Sequence, residues 1–431
     1  MPLWRMIVTA INLVGVRFMG AGIGLVSQIL LARLMPQADV GIVFLGMSSA
    51  AILSLLVTVG YPQLALTCLP RYYALGRKNL AAAFHAAFWR DGLVALAVVA
   101  AVVLAAAIAS PLSPGLKTAL VFGLLSSPAS AFIRINSATA NSLRRFTLSY
   151  VPDFIYRPAL LLIYLVIAWG AGFHLTAIAV LWAFVIGNSM VALGQALIIG
   201  KHGAVPPRLH SGLRNLAPLL RRRAGALVIV AAVSNSFADM VNMIGGVLLP
   251  HQDVGLLGVC IRLAALIGFI TQATQNFILP DLAAALTRGS REELNTLLLR
   301  FNGVALAAIG ASLVATAAVG QYALRIFGPE YVAGHWPLVV FTLSQGFRAA
   351  SGMNQHLLSL GGYQTKTAGA CVLAIVSLGG AAALLTPQFG VMGMAVAVVI
   401  ADIVWALLLA VLAQRHTGRR GDILALLRAR R

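Results

Sequence analysis

The residues able to do chemistry in this chain are few, and most are arginines in apolar surroundings. Arg17, Arg33, Arg134, Arg262 and Arg348 fall inside long hydrophobic stretches, as do Asp239 and Asp402. Bond-making chemistry needs paired carboxylates, a nucleophile beside a base, or a cluster of metal ligands. The sequence holds no such grouping, so no enzymatic reaction, cofactor or metal is expected. A guanidinium offers something else: a permanent charge and a planar fork of donors that matches phosphate or carboxylate. Binding an anion is therefore the chemistry these residues suggest. The acids suggest a second role. Asn235, Asp239 and Asn242 recur at spacings of 4 and 3, which puts them on one helix face. A carboxylate buried there either carries a proton or Na⁺, or is the fixed counter-ion of Arg17 or Arg262. Asp402 is a second position for ion coupling.

The elements that position these residues are membrane spans. Of 431 residues, 60% are hydrophobic and only 10% charged, against roughly 25% charged in a soluble domain. A bilayer core of about 30 Å takes about 20 apolar residues per helix, and lipid satisfies no open backbone group. Turn signals such as Met35-Pro36, Ser110-Pro111, Gly328-Pro329 and Pro387 divide the chain into twelve predicted spans. They cover 7–33, 40–65, 86–109, 117–141, 152–170, 175–199, 224–249, 254–279, 302–324, 335–360, 367–386 and 390–413.

Most of the net charge of +20 belongs to the loops between them. Arg71, Arg77, Lys78, Arg144, Arg145, Lys201, Arg221, Arg222, Arg223 and the arginines from Arg415 onward share one side with the N-terminus; Lys117 and Arg325 stand on the other. The positive-inside rule then predicts a multi-pass protein with both termini cytoplasmic, and removes the reason to expect nucleic acid. The first apolar stretch is too long for a cleavable leader. Cys68, Cys260 and Cys371 are too scattered for a disulfide framework. Arg33, at the outer end of span 1, is expected to snorkel. Asp153 and Arg157 are spaced for a local i,i+4 pair, and Arg90-Asp91 is read as interfacial. Asp39 and Asp253, after turns, are read as N-caps of spans 2 and 8. The end of the chain, from Asp422 to Arg431, reads as a short interfacial helix or a frayed basic terminus.

The two halves repeat at a constant shift of 214: Met35 to Gly41 matches Leu249 to Gly255, and Val185 to Asn188 matches Val399 to Asp402. The predicted fold is therefore all-α, about twelve transmembrane helices in two six-helix bundles related by a pseudo-twofold axis along the membrane normal. The expected organisation is a bundle at 1–200, a basic linker at 201–223, a second bundle at 224–414 and a basic tail at 415–431. Arg134 and Arg348 differ by the same 214 residues. They either face one cavity as paired donors or bond within their own bundles. Gly15, Gly20, Gly22 and Gly24 give span 1 small faces, for close packing or for bending.

The run Ile29-Leu-Leu-Ala-Arg-Leu-Met-Pro-Gln-Ala-Asp-Val-Gly41 resembles the opening signature of the oligosaccharide flippase (polysaccharide biosynthesis and export) family. Val59 to Gln63, Pro70 to Gly76, Phe327 to Tyr331 and Pro387 to Gly393 fit the same pattern. The resemblance covers the whole chain and points to the multidrug/oligosaccharidyl-lipid/polysaccharide transporter superfamily, which also holds multidrug antiporters and lipid II flippases. It implies alternating-access movement of an undecaprenyl-diphosphate-linked oligosaccharide to the outer leaflet of a bacterial inner membrane, for O-antigen, capsule or exopolysaccharide. It implies as partners the lipid-linked oligosaccharide, membrane lipids and glycan polymerase or export proteins, with H⁺ or Na⁺ as coupling ion. By that resemblance Arg17 and Arg262 join Arg134 and Arg348 as cavity residues for the anionic head group. The rival is an ion-coupled multidrug antiporter. Its cationic cargo would favour acids, whereas these spans hold more arginines than acids.

Overall fold

A computed structural model describes residues 3–201, 213–288, 291–418 and 421–422. Among them every regular element is a helix. Ten helices are long and apolar enough to cross a bilayer. Two more crossings come from breaks. α14 (Gln364–Thr417) has 54 residues, about 80 Å if straight at 1.5 Å per residue. Gly390 interrupts it with φ 55° and ψ −134°, so it folds as two spans. α12 (His335–Ala350) and α13 (Asn354–Leu360) together make the other, interrupted at residues 351–353. The twelve expected crossings are thus present, though span 10 is not the continuous helix expected at 335–360.

The chain forms two compact units, Met1–Met243 and Ile244–Arg431. In unit 1 the spans are α1 (Leu3–Leu34), α2 (Gln37–Thr58), α4 (Lys78–Ala109), α5 (Pro114–Ser142), α6 with α7 (Phe146–Gly170), α8 (Ala177–Lys201) and most of α9 (Leu213–Leu248). α2 is the core of this unit: 72% of its apolar window is buried, against 11% for α4, whose Val94, Val98 and Val102 face outward. Without a strong hydrophobic drive between helices in lipid, small residues let backbones approach. Ser49 donates to the Ala119 carbonyl at 2.8 Å, and a Cβ on Gly123 would strike the Ser49 side chain. Gly20 of α1 does the same for α6/α7, lying against the Phe154 carbonyl, while Gly15, Gly22 and Gly24 have open space around them.

Three further expectations need correction. Span 2 does not run to residue 65. Val59 and Gly60 both take left-handed conformations, and α3 (Tyr61–Ala74) follows as a separate helix. α3 packs Tyr61, Leu64 and Leu69 on Phe84 and Phe88 of α4. Asp91 is not simply interfacial: it is 5% exposed and accepts from the Tyr61 hydroxyl at 2.7 Å, with Arg90 at 2.9 Å on its outer side. Asp39 and Asp253 are not N-caps. The helices start earlier, and the Pro36 and Pro250 carbonyls accept the first helical bonds, from Val40 and Val254. Both acids sit in the first turn, where the helix dipole favours a negative charge.

In unit 2, α10 (His251–Arg288), α11 (Arg291–Phe327), α12, α13 and α14 carry the spans. The break in span 10 is filled by the end of the chain. Gly421 accepts from the Met353 N–H at 3.0 Å and donates to Asn354 Oδ1 at 2.7 Å, and Asn302 donates to the Asp422 carbonyl at 2.9 Å. Asp422 is buried, so the chain is anchored at this point; residues 423–431, on which the expectation of an interfacial helix or a frayed terminus falls, lie outside the described residues. Between α11 and α12, burial and the adjoining Glu330 push the Tyr331 phenol up from its ordinary value.

Candidate functional site

Several polar residues of unit 1 meet at one segment. Between α6 (Phe146–Val151) and α7 (Arg157–Gly170) the chain makes a π turn, Pro152–Tyr156. Such a turn re-aims the side chains around it and frees carbonyls for other partners. Asp153 and Arg157 form the expected i,i+4 pair at 2.6 Å. Arg157 also donates from Nε to Asn188 Oδ1 at 2.9 Å, and Asn188 donates onward to Ser126 at 2.7 Å and Ser130 at 3.3 Å. A cavity of about 180 Å³ beside the pair is walled by Ser27, Gln28, Phe44 and Phe184.

Two further guanidiniums stand around this hub. Arg17 of α1 lies over the rings of Tyr150 and Phe154, at 5.3 and 5.5 Å from their centroids. Arg134 of α5 is half-buried and donates from Nε to Ser54 at 3.2 Å. Asp153, Arg157 and Asp239 are within Coulombic reach of it. Among the described residues no carboxylate is hydrogen-bonded to Arg17 or Arg134. A guanidinium has five donors, so most of those on Arg134 remain available.

The repeat-equivalent hub in unit 2 is filled differently. Asp402 occupies the place of Asn188, with Ser344, the counterpart of Ser130, beside it. Arg348 pairs with Asp402 at 3.3 Å and lies over Trp405 at 5.1 Å. Asp402 is 2% exposed, and its Oδ2 has no hydrogen-bond partner among the described residues. Thus Arg134 and Arg348, equivalent in sequence, have different partners within their own units. Arg262 of α10 donates to the Gly258 carbonyl of its own helix at 3.4 Å. Arg33 is exposed at the end of α1.

The Asn235–Asp239–Asn242 face is interrupted. Ser236 leaves the helical region of backbone space, so Asn235 precedes a kink and is exposed. Asp239 is half-buried, and Asn242 is buried, donating to Ser48 at 3.2 Å. The link from Arg157 through Asn188 to the serines of α5 was not expected from sequence. Its signal was there in the match of Asn188 to Asp402 and of Ser130 to Ser344.

No family model matches this chain, and no curated protein matches it by sequence. Comparison by structure does. An inward-facing multidrug resistance MATE family transporter of the MOP superfamily superposes with a TM-score of 0.72 at 13% identity, over 95% of this chain and 98% of the other. Lipid II flippase MurJ, in an inward closed conformation, gives 0.71 at 15% identity, over 97% and 89%. A MOP superfamily transporter from Pyrococcus furiosus, described as having a binding pocket of reverse polarity, gives 0.59 at 13% identity, over 95% of both chains. These likenesses show the fold: a multi-pass, all-helical membrane protein with the same architecture as these transporters. The neighbours with that fold include both a drug transporter and a lipid flippase.

Proposed function

We propose that this protein is an alternating-access flippase that carries an undecaprenyl-diphosphate-linked oligosaccharide from the cytoplasmic to the outer leaflet of a bacterial inner membrane. One observation carries the reading: Arg17 and Arg134 are held by aromatic faces and a serine hydroxyl, not by carboxylates. A cation in the membrane interior needs a counter-charge, and a diphosphate passenger supplies one that comes and goes. Arg348 has a resident counter-ion in Asp402, so we assign it to structure and coupling rather than to the head group. Arg262 is kept as a secondary contact. Asp239 and Asp402, with Asn235 and Asn242 near the first, are the positions where H⁺ or Na⁺ would couple.

The sequence resemblance supports the glycan assignment, and the basic loops support cytoplasmic termini. The multidrug-antiporter reading has the same fold in its favour, but its cationic cargo would meet the arginines as like charges.

The test is a deletion strain in which lipid-linked glycan is resolved by leaflet, with and without the gene restored. Accumulation on the cytoplasmic side with loss of surface polysaccharide is the expected result. An unchanged glycan pool with raised sensitivity to cationic drugs would transfer the assignment to the antiporter.

A further inference from the structure

Unit 1 contains a second feature, which shares Tyr150 with the Arg17 site. A groove of about 800 Å³ runs between α1, α6, α7 and α8. Its length is apolar, formed by Leu160, Ile163, Met190 and Ile198 among others. Ile163, Met190 and Ile198 are exposed at 52%, 59% and 46%, so in a bilayer this wall opens to lipid. Its end is basic: Arg144 and Arg145, both exposed, close it at the turn between α5 and α6. No acid lines it. Gln195, the buried polar group in its wall, turns its amide nitrogen away to Ser137 and the Leu148 carbonyl.

The turn itself is unusual. The Arg144 N–H bonds the Asn141 carbonyl and the Arg145 N–H the Ala140 carbonyl, closing α5 with Arg144 in the left-handed region at φ 57°. Among the described residues three other helices end with the same pair of bonds, and they place Gly76, Gly172 and Gly362 at that position. Glycine takes this conformation without steric penalty, and a side chain does not. Backbone strain of this kind collects at ligand clamps. Here it fixes an arginine beside a second arginine, at the head of an apolar groove, with no carboxylate bonded to either among the described residues.

We propose that the groove holds one anionic glycerophospholipid of the surrounding leaflet, its phosphate on Arg144 and Arg145 and an acyl chain along Leu160, Ile163, Met190 and Ile198. Charge complementarity names the head group, and the lipid-facing opening names the source. Bulk leaflet lipid reaches this site whatever the protein transports, so the proposal stands apart from the identity of the cargo.

Purified full-length protein, delipidated in mild detergent, is titrated with phosphatidylglycerol or phosphatidylethanolamine of matched chains and read by native mass spectrometry. One phosphatidylglycerol is expected to be retained in preference. Each basic residue contributes about fivefold, from roughly 1 kcal/mol of attraction to an anionic surface. Replacing both (Arg144→Gly with Arg145→Gln) should weaken phosphatidylglycerol by about 25-fold and leave phosphatidylethanolamine unchanged. Arg144→Gly alone should raise the melting temperature, by relieving the turn, while lowering phosphatidylglycerol retention; that pairing separates loss of a ligand contact from loss of fold. Equal binding of both lipids, or no effect of the double variant, overturns the proposal. So does tighter, arginine-dependent retention of an added polyprenyl diphosphate, which would make the groove an entry site for cargo.

Discussion

Unit 1 and unit 2 place polar groups at the same repeat positions and neutralise different arginines with them. In unit 2 the carboxylate is Asp402 of the last span, and it takes Arg348. In unit 1 that position is Asn188, which has no charge to give; the carboxylate stands instead on the fifth span, as Asp153, and it takes Arg157. At the unit 2 counterparts of Asp153 and Arg157 the sequence has Thr367 and Cys371. Moving one acid from one span to another therefore changes which guanidinium has a permanent partner. Arg134 is left with a hydroxyl while its equivalent, Arg348, is tied down. A repeat can conserve a buried polar hub and still pair the matching guanidinium with a carboxylate of the last helix in one half only.

The comparison can be broken at several points. Arg348→Ala should have the largest effect, because it leaves Asp402 buried without a cation. A loss of about 3–5 kcal/mol is expected for an orphaned buried charge, seen as a fall in thermal stability in detergent. Arg134→Ala should cost about 1 kcal/mol or less, the scale of one hydrogen bond. Equal losses would mean that the two hubs are not filled as described. Tyr61→Phe, which removes the hydroxyl from buried Asp91, should cost about 2 kcal/mol and loosen α3; a limited-proteolysis pattern unchanged around residue 75 would count against it.

Asn188→Asp would make unit 1 resemble unit 2. The added carboxylate should draw Arg157 and Arg134 into fixed pairs and slow transport about tenfold, about 1.4 kcal/mol in the barrier, with the melting temperature held. Faster or unchanged transport would disprove the role proposed for Arg134 in transport. A modest effect is expected at Gly390→Ala. Its left-handed φ between the last two spans makes a side chain cost about 1–2 kcal/mol, readable as a shift of a few degrees. A neutral result would show that the hairpin has other ways to turn.

Much of this molecule was legible in the sequence because lipid imposes a single rule. Backbone groups must be satisfied within the helix, so apolar length and turn residues reveal the crossings. The repeat was legible because Pro36 and Pro250 keep the same role, accepting the first bonds of α2 and α10. What sequence missed depends on geometry that periodicity does not encode. The left-handed pair Val59-Gly60 ends a helix inside a continuous apolar run, so α3 was merged into span 2. The kink at Ser236 and the π turn at Pro152–Tyr156 alter the 3.6-residue register on which a helix-face argument relies. Asp39 and Asp253 looked like caps because proline, which precedes each by three residues, is rarely considered for that place. The arginine pair was legible as a pair, but which member has a counter-ion depended on Asp402 and Asn188 meeting them across helices.

The most direct measurement is translocation of a fluorescent undecaprenyl-diphosphate oligosaccharide in proteoliposomes, comparing the wild type with Arg17→Gln, Arg134→Gln and the double variant. The account predicts at least a tenfold loss in the double variant, with the melting temperature lowered by no more than a few degrees, since about 1 kcal/mol of hydrogen bonding is lost at Arg134. Full translocation by a stably folded double variant would contradict it, and the two arginines would then be structural like Arg348.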